Sequence, residues 1–155
     1  MAGYAETDGP LGTVAVAEAL NHLGFHSVVV TDKYCKGFFE LKQLDVEYVD
    51  IAADEQVYED ILDKYNPVYM ISIERCGENA EHEYANMRGV SITSETAAID
   101  HLFELAPEKH IPTIGVGDGG NEIGMGNVKD IISEKLELNP CVVPVDDLII
   151  ATTSN

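Results

Sequence analysis

The residues best placed for chemistry lie in a glycine-rich run at residues 117–126, GDGGNEIGMG. Five glycines in these ten residues allow positive φ angles and a close approach of the backbone to a ligand. Asp118, Asn121 and Glu122 are interleaved with the glycines at a density that a flexible turn does not require. Hard divalent cations such as manganese and magnesium prefer oxygen ligands. We therefore interpret Asp118 and Glu122 as metal ligands, and Asn121 as a neutral ligand or a supporting partner.

The same region formally fits the dinucleotide-binding pattern, with Gly115, Gly117 and Gly120 at the required spacing. Asp118 would then lie inside the phosphate-binding turn. Two like charges ~4 Å apart repel by roughly 4 kcal/mol at an effective dielectric constant of about 20. A bridging cation removes this conflict, so we favour a metal site over a nucleotide site.

A second candidate segment is the turn at residues 6–13, ETDGPLGT, which leads into a predicted helix. The free N–H groups of a helix N-terminus favour an anion, so Gly9 is a candidate for substrate binding. Glu6 and Asp8 would complete a metal cage if this turn lies at the same edge of the sheet as the glycine-rich run. For Asp8, a role as helix cap explains the residue equally well.

A third segment directly follows a predicted strand and begins with Glu74, Arg75 and Cys76. Arg75 and Arg88 are the only arginines in the chain, and their planar cations suit a dicarboxylate substrate. Pairing with surface acids is an equally good explanation for Arg88. We do not choose Cys76 as a nucleophile, because no evident activating base accompanies it.

A fourth segment, TTSN at residues 152–155, ends the last predicted strand. The hydroxyl of Ser154 and the amide of Asn155 could orient a substrate carboxylate there. A frayed chain end is the alternative explanation.

These segments connect elements that alternate between strand and helix, which predicts an α/β fold with a mostly parallel sheet and helices on both faces. The predicted strands are residues 26–31, 46–51, 68–73, 112–116 and 148–153. The predicted helices are residues 12–23, a weak helix at 37–44, a helix around 57–65 that ends at Asn66-Pro67, one that starts at Ser94-Glu95, and one that carries residues 128–136. No strand precedes the first helix and no helix follows the last strand, so we expect a domain that lacks its first strand and its C-terminal part.

Length and composition limit the classes of function. The 155 residues fit one domain, and a formal net charge of −19 disfavours binding to nucleic acid or to anionic membranes. No apolar run approaches the ~20 residues of a membrane helix, and the first ten residues do not resemble a signal peptide. Three widely spaced cysteines suit a reducing compartment, so we expect a cytoplasmic protein. Self-association into a homo-oligomer is a further expectation.

Taken together, these motifs resemble the C-terminal catalytic domain of D-glutamate cyclases. The resemblance runs over nearly the whole chain, and the run GDGGNEIGMG is its most specific part. The other matching motifs are ETDGP at residues 6–10, IER with Gly77 at residues 73–77, Asn86 with Arg88, and Ser154-Asn155. One departure is Glu81-His82, which stands where relatives tend to have Asp-Gly.

The resemblance implies conversion of D-glutamate to 5-oxo-D-proline and water by a hydro-lyase. A divalent metal would polarise the poorly electrophilic γ-carboxylate, and a general base would deprotonate the attacking amine. Glu74 is our candidate for the base, and Arg75 for holding a substrate carboxylate. We expect Gly9, Arg88, Gly119, Gly120, Ser154 and Asn155 to contact the substrate. The alternatives are a metal-dependent phosphatase or other hydrolase on the same scaffold, and a non-catalytic fragment or subunit.

Overall fold

Strands and helices alternate along the chain in the computed structural model, which describes residues 9–86 and 88–151. The helices are α1 (Pro10–His22), α2 (Glu55–Tyr65), α3 (His101–Leu105) and α4 (Lys129–Leu136). The strands are β1 (Val28–Asp32), β2 (Asp45–Val49), β3 (Met70–Ile73), β4 (Thr113–Gly117) and β5 (Asp147–Ile150). Short 3-10 helices cover Lys33–Cys35, Glu40–Lys42, Thr93–Glu95 and Met125–Val128.

All strand pairs in the described part of the chain are parallel, which confirms the α/β class. The strands form two sheets, a two-stranded sheet β1-β2 and a three-stranded sheet β3-β4-β5, where the sequence predicted one. Because β4 is the central strand of the larger sheet, the loop that follows it is flanked by the ends of β3 and β5. The glycine-rich run predicted from the sequence is this loop.

The side chains of the smaller sheet pack on both of its faces. Val29 and its neighbour in register, Val46, pack with Val14 of α1. Val30 and Val49 pack instead with the core that contains α2 and α3. Because successive side chains of a strand point to opposite faces, α1 lies on one face of β1-β2 and the α2–α3 core on the other.

Helix α2 ends where the sequence predicts. Its apolar positions recur at helical spacing, and Tyr58, Ile61 and Leu62 are buried in the main core. Asn66 adopts a left-handed conformation and its N–H bonds to the carbonyl of Leu62, which closes the helix before Pro67.

Two helix predictions are wrong. The weak helix at 37–44 is only the 3-10 turn Glu40–Lys42, which ends at Gln43 in a left-handed conformation. The helix predicted from Ser94 begins at His101, after the 3-10 turn Thr93–Glu95. Thr96 is extended and the carbonyl of Ala97 accepts a hydrogen bond from the Arg75 side chain, so long-range contacts replace the helical pattern here.

Strand β5 leaves part of its surface uncovered. Ile149 and Ile150 are 54% and 55% exposed, although parallel sheets usually bury both faces. No helix in the described ranges, 9–86 and 88–151, is long and apolar enough to cross a membrane.

We predict that Gly126→Ala destabilises the fold whereas Gly12→Ala does not. A Cβ at Gly126 would lie 2.4 Å from the Val142 carbonyl oxygen and 2.6 Å from the carbonyl carbon of Val143, so backbone must move. Overpacking of this kind costs about 1–3 kcal/mol in unfolding free energy. A Cβ at Gly12 would meet Ile73 Cγ2 at 3.5 Å, an ordinary contact, and alanine favours helix α1. Urea unfolding of both variants checks this, and equal stabilities would contradict the packing described.

Candidate functional site

The loop after β4 is folded around a buried carboxylate. Glu122 is only 5% exposed, and its two oxygens accept hydrogen bonds from the N–H groups of Gly119 and Gly120, each at 2.8 Å. The loop thus closes on a side chain of its own. Backbone donors of this kind stabilise the ionised carboxylate, which permits its burial.

The room that Glu122 occupies explains two of the glycines. A Cβ at Gly117 would lie 2.8 Å from both Cβ and Cγ of Glu122, and a Cβ at Gly119 would lie 2.8 Å from Oε1. Gly120 has a φ of 99°, which side chains rarely adopt. Gly117 and Gly119 are therefore required for the placing of Glu122.

Two extended segments hold the loop from outside. On one side, Gly77 N–H bonds to the Asn121 carbonyl and Ile123 N–H to the Arg75 carbonyl, at 3.0 and 2.8 Å. On the other side, Cys141 N–H bonds to the Gly120 carbonyl at 2.9 Å. Because the loop has backbone partners on both sides, its shape is well determined.

Three carboxylates meet at this place. Each of Glu74, Asp118 and Glu122 contributes one oxygen, and these three oxygens lie within 4.8 Å of one another. Glu122 is buried, Glu74 is half-buried, and Asp118 is exposed to solvent. Like charges at such distances repel by several kcal/mol at an effective dielectric constant of about 20, and an oxygen-ligated divalent cation would remove the repulsion. The structure thus brings together the predicted base and two of the four predicted acidic ligands.

Glu74 reaches this cluster through an unusual backbone conformation. It follows the last residue of β3 and has a φ of 54°, in the left-handed region. Its Cβ would lie 3.1 Å from a Cβ built on Gly9, which itself has a φ of 75°. Gly9 directly precedes α1, so the structure places the predicted substrate-binding Gly9 and the N-terminus of α1 beside Glu74.

The amide nitrogen of Asn121 is used in a contact outside the glycine loop. Its Nδ2 donates to the carbonyl oxygen of Ala85 at 2.8 Å. This bond joins the glycine loop to the irregular segment that follows β3. A metal would be held by the amide oxygen and not by this nitrogen, so both roles expected for Asn121 stay predictions.

Arg75 is engaged in a contact between the two sheets. Its Nη1 donates to Asp32 Oδ2 and its Nη2 to the Ala97 carbonyl, both at 2.8 Å. Asp32 is the last residue of β1 and is 3% exposed. Arg75 Nε is buried and has no hydrogen-bond partner among the described residues. The pair joins the end of β1 to the end of β3, and binding of a substrate carboxylate by Arg75 stays a prediction.

The remaining predicted residues are distributed differently. Arg88 is exposed, and its backbone N–H bonds to Asn86 Oδ1. Glu6, Asp8, Ser154 and Asn155 lie outside the described residues.

The departure at Glu81-His82 has a structural counterpart. His82 has a φ of 58°, in the left-handed region that glycine adopts without strain. A glycine at this place in relatives would follow the same turn at lower conformational cost.

Sequence reasoning missed a buried acid that organises the segment after β3. Asp100 is fully buried, and it accepts hydrogen bonds from the Tyr84 hydroxyl at 2.7 Å and the Glu78 N–H at 2.9 Å. Burial is the main cause that raises the pKa of Asp100, and the two hydrogen bonds oppose it. The signal in the sequence is an acid between the apolar residues Ile99 and Leu102, but its partners lie too far along the chain to be read from a pattern.

The cysteines near the loop are unsuited to nucleophilic catalysis. Cys76 is buried with its Sγ directed at the Ala85 carbonyl, and burial raises its pKa to about 11. Burial raises the pKa of Cys141 to about 12. Both thiols are therefore protonated at neutral pH.

We predict that Glu122→Gln destabilises the metal-free protein by about 1–3 kcal/mol, because the new amide group would point N–H bonds at the N–H of Gly119 or Gly120. Asp118→Asn is the matched control, since it removes one charge from the same cluster without removing a buried acceptor. It should leave stability unchanged or raise it. Urea unfolding in the presence of a chelator checks both, and equal effects would contradict the role given to Glu122.

We also predict that neither Cys76 nor Cys141 reacts quickly with a disulfide reagent in the folded protein at pH 8. With a pKa of about 11, Cys76 is thiolate in only about one molecule per thousand at that pH. The absorbing thiol that the reagent releases on reaction should form quickly from both residues only after the protein is unfolded in guanidinium. Rapid modification of Cys76 in the native state would reopen the case for a cysteine nucleophile.

The geometry can be set beside known proteins. A family model described as D-glutamate cyclase-like, C-terminal, matches residues 1–155. The human (Homo sapiens) protein named D-glutamate cyclase, mitochondrial, is 32% identical over 173 residues, which covers 97% of this chain and 28% of the relative. The chain thus spans just over a quarter of that relative's length. On both grounds, the chain belongs to the D-glutamate cyclase-like family.

Proposed function

We propose that the chain is a hydro-lyase that interconverts D-glutamate and 5-oxo-D-proline plus water at the cluster of Glu74, Asp118 and Glu122. The observation that carries this proposal is the meeting of these three carboxylates on a loop of fixed shape. Membership of the family and the name of the human relative support the choice of reaction.

The reaction sets two chemical requirements. The α-amine attacks the γ-carboxyl carbon, so that a C–N bond forms, a C–O bond breaks, and the γ-oxygen leaves as water. The amine must first lose a proton, and the γ-carboxylate must be made more electrophilic. General bases contribute about 100- to 10,000-fold to such steps.

The donor set fits a hard divalent cation, manganese or magnesium, with Asp118 and Glu122 as its carboxylate ligands. Such a cation supplies a Lewis acid that polarises the γ-carboxylate and stabilises the developing oxyanion. Glu122 retains lone pairs for this role, because each of its oxygens accepts one hydrogen bond from a loop N–H. Glu6 and Asp8 remain proposed additional ligands.

Glu74 is the proposed base. It directly follows β3, whereas the two proposed ligands belong to the glycine loop. The adjacent N-terminus of α1 at Gly9 offers free N–H groups for the α-carboxylate of the same substrate. In this arrangement the amine of D-glutamate lies between an anion site at α1 and the γ-carboxylate at the loop.

The compartment belongs to the same proposal. The three cysteines are free among the residues described, which fits a reducing compartment, and we propose the cytoplasm. The human relative is named as a mitochondrial protein.

We predict that Glu74→Gln and Asp118→Asn fail in different ways. In a chromatographic assay of 5-oxoproline formed from D-glutamate with manganese, Glu74→Gln should lower kcat by about 100-fold or more at an unchanged half-saturating metal concentration. Asp118→Asn should raise that metal concentration. The control is Asp130→Asn, an exposed acid of α4, which should match the wild type.

A wild-type chain that forms no 5-oxoproline with manganese or magnesium would overturn the proposed function. Release of inorganic phosphate from a generic ester under the same conditions would then favour the phosphatase alternative. Loss of metal affinity in Glu74→Gln would assign that residue to the ligands and remove it as the base.

A further inference from the structure

The segment between β3 and α3 covers one side of the glycine loop and is irregular for most of its length. Asp100, at the end of this segment, is fully buried and forms no salt bridge among the described residues. Burial of a carboxylate without a paired cation is costly, and the two hydrogen bonds it accepts are what offset that cost. The segments that these two bonds hold in place therefore show what Asp100 contributes to the structure.

The first bond connects Asp100, through Glu78, to the segment around Cys141, which holds the loop from one side. Asp100 Oδ2 accepts from the Glu78 N–H at 2.9 Å, and the Glu78 carbonyl accepts from the Val142 N–H at 2.9 Å. The preceding residue, Cys141, bonds through its N–H to the Gly120 carbonyl at 2.9 Å. Gly120 is one of the two glycines whose N–H holds Glu122.

The second bond connects Asp100, through Tyr84, to the segment around Ala85, which binds the Asn121 side chain of the loop. Asp100 Oδ1 accepts from the Tyr84 hydroxyl at 2.7 Å. The next residue, Ala85, accepts hydrogen bonds at its carbonyl from Asn121 Nδ2 at 2.8 Å and from Cys76 Sγ at 3.3 Å. Asn121 is the neighbour of Glu122, so this path also ends in the glycine loop.

We propose that Asp100 and Tyr84 are positioning residues for the proposed active site. Together they fix the segments around Cys141 and Ala85, which hold the loop that carries Asp118 and Glu122. The proposal rests on the proposed function for its effect on catalysis, but its effect on the loop is independent of any activity. Asp100 and Tyr84 act on the loop through Glu78, Ala85 and Asn121.

The test is Tyr84→Phe, which removes one hydroxyl and keeps the ring. Tyr58→Phe is the matched control, because the Tyr58 hydroxyl is also buried but has no hydrogen-bond partner among the described residues. Hydrogen–deuterium exchange followed by mass spectrometry or NMR reports the loop amides, including those of Gly119 and Gly120. We expect faster exchange across residues 117–124 in Tyr84→Phe and unchanged exchange in Tyr58→Phe.

Kinetics give the second readout, taken well below the melting temperature of each variant. Tyr84→Phe should lower kcat by roughly 10- to 100-fold, as a small misplacement of reacting groups does, with KM changed less. Asp100→Asn should be milder than Asp100→Ala, because the Asn oxygen can still accept from the Glu78 N–H and the amide can donate to the Tyr84 hydroxyl.

Two outcomes would overturn the proposal. One is faster exchange confined to residues 76–100 with the loop amides protected as in the wild type. The other is equal behaviour of Tyr84→Phe and Tyr58→Phe in both readouts. An inactive wild type would refute the proposed function alone, because the exchange comparison would still decide whether Asp100 and Tyr84 position the loop.

Discussion

The site depends on the burial of one carboxylate inside its own loop. Glu122 can be 5% exposed because Gly119 and Gly120 supply it with two N–H donors, and it fits because Gly117 and Gly119 have no side chain. The direction of Asp118, between these residues, follows from the same turn. A change that displaces Glu122 would therefore displace the whole loop and not one ligand.

The electrostatics of the site favour the binding of a cation. The formal net charge is −19, and three carboxylates meet at the loop. Arg75, the arginine next to Glu74, is committed to Asp32 and to the Ala97 carbonyl. D-glutamate is itself a dicarboxylate, so an acidic cluster would repel it. A divalent cation held by Asp118 and Glu122 would reduce both repulsions, and this is the physical reason for the proposed metal.

Local patterns in the sequence predicted most elements, since periodicity and turn residues determine them. Helix α2 ends at Asn66 before Pro67 as expected, and β4 leads into the glycine loop. The helix prediction failed at residues 94–100, where the Arg75 side chain donates a hydrogen bond to the Ala97 carbonyl.

The residues of the candidate site were likewise predictable only where they stand close together in the sequence. Asp118 and Glu122 could be found because they stand in one short run. The partners of Arg75 and Asp100 could not, because Asp32 lies 43 residues from Arg75 and Tyr84 lies 16 residues from Asp100. The buried pairs depend on how distant segments pack, and a single sequence carries no periodic signal for that.

The most direct measurement is a calorimetric titration of the chain with manganese, in enough monovalent salt to screen exposed acids. The account predicts saturable binding in the wild type and in Asp130→Asn, and a large loss of affinity in Asp118→Asn. Absence of saturable binding, or equal affinity in Asp118→Asn and the wild type, would contradict the claim that Asp118 and Glu122 hold a cation beside Glu74.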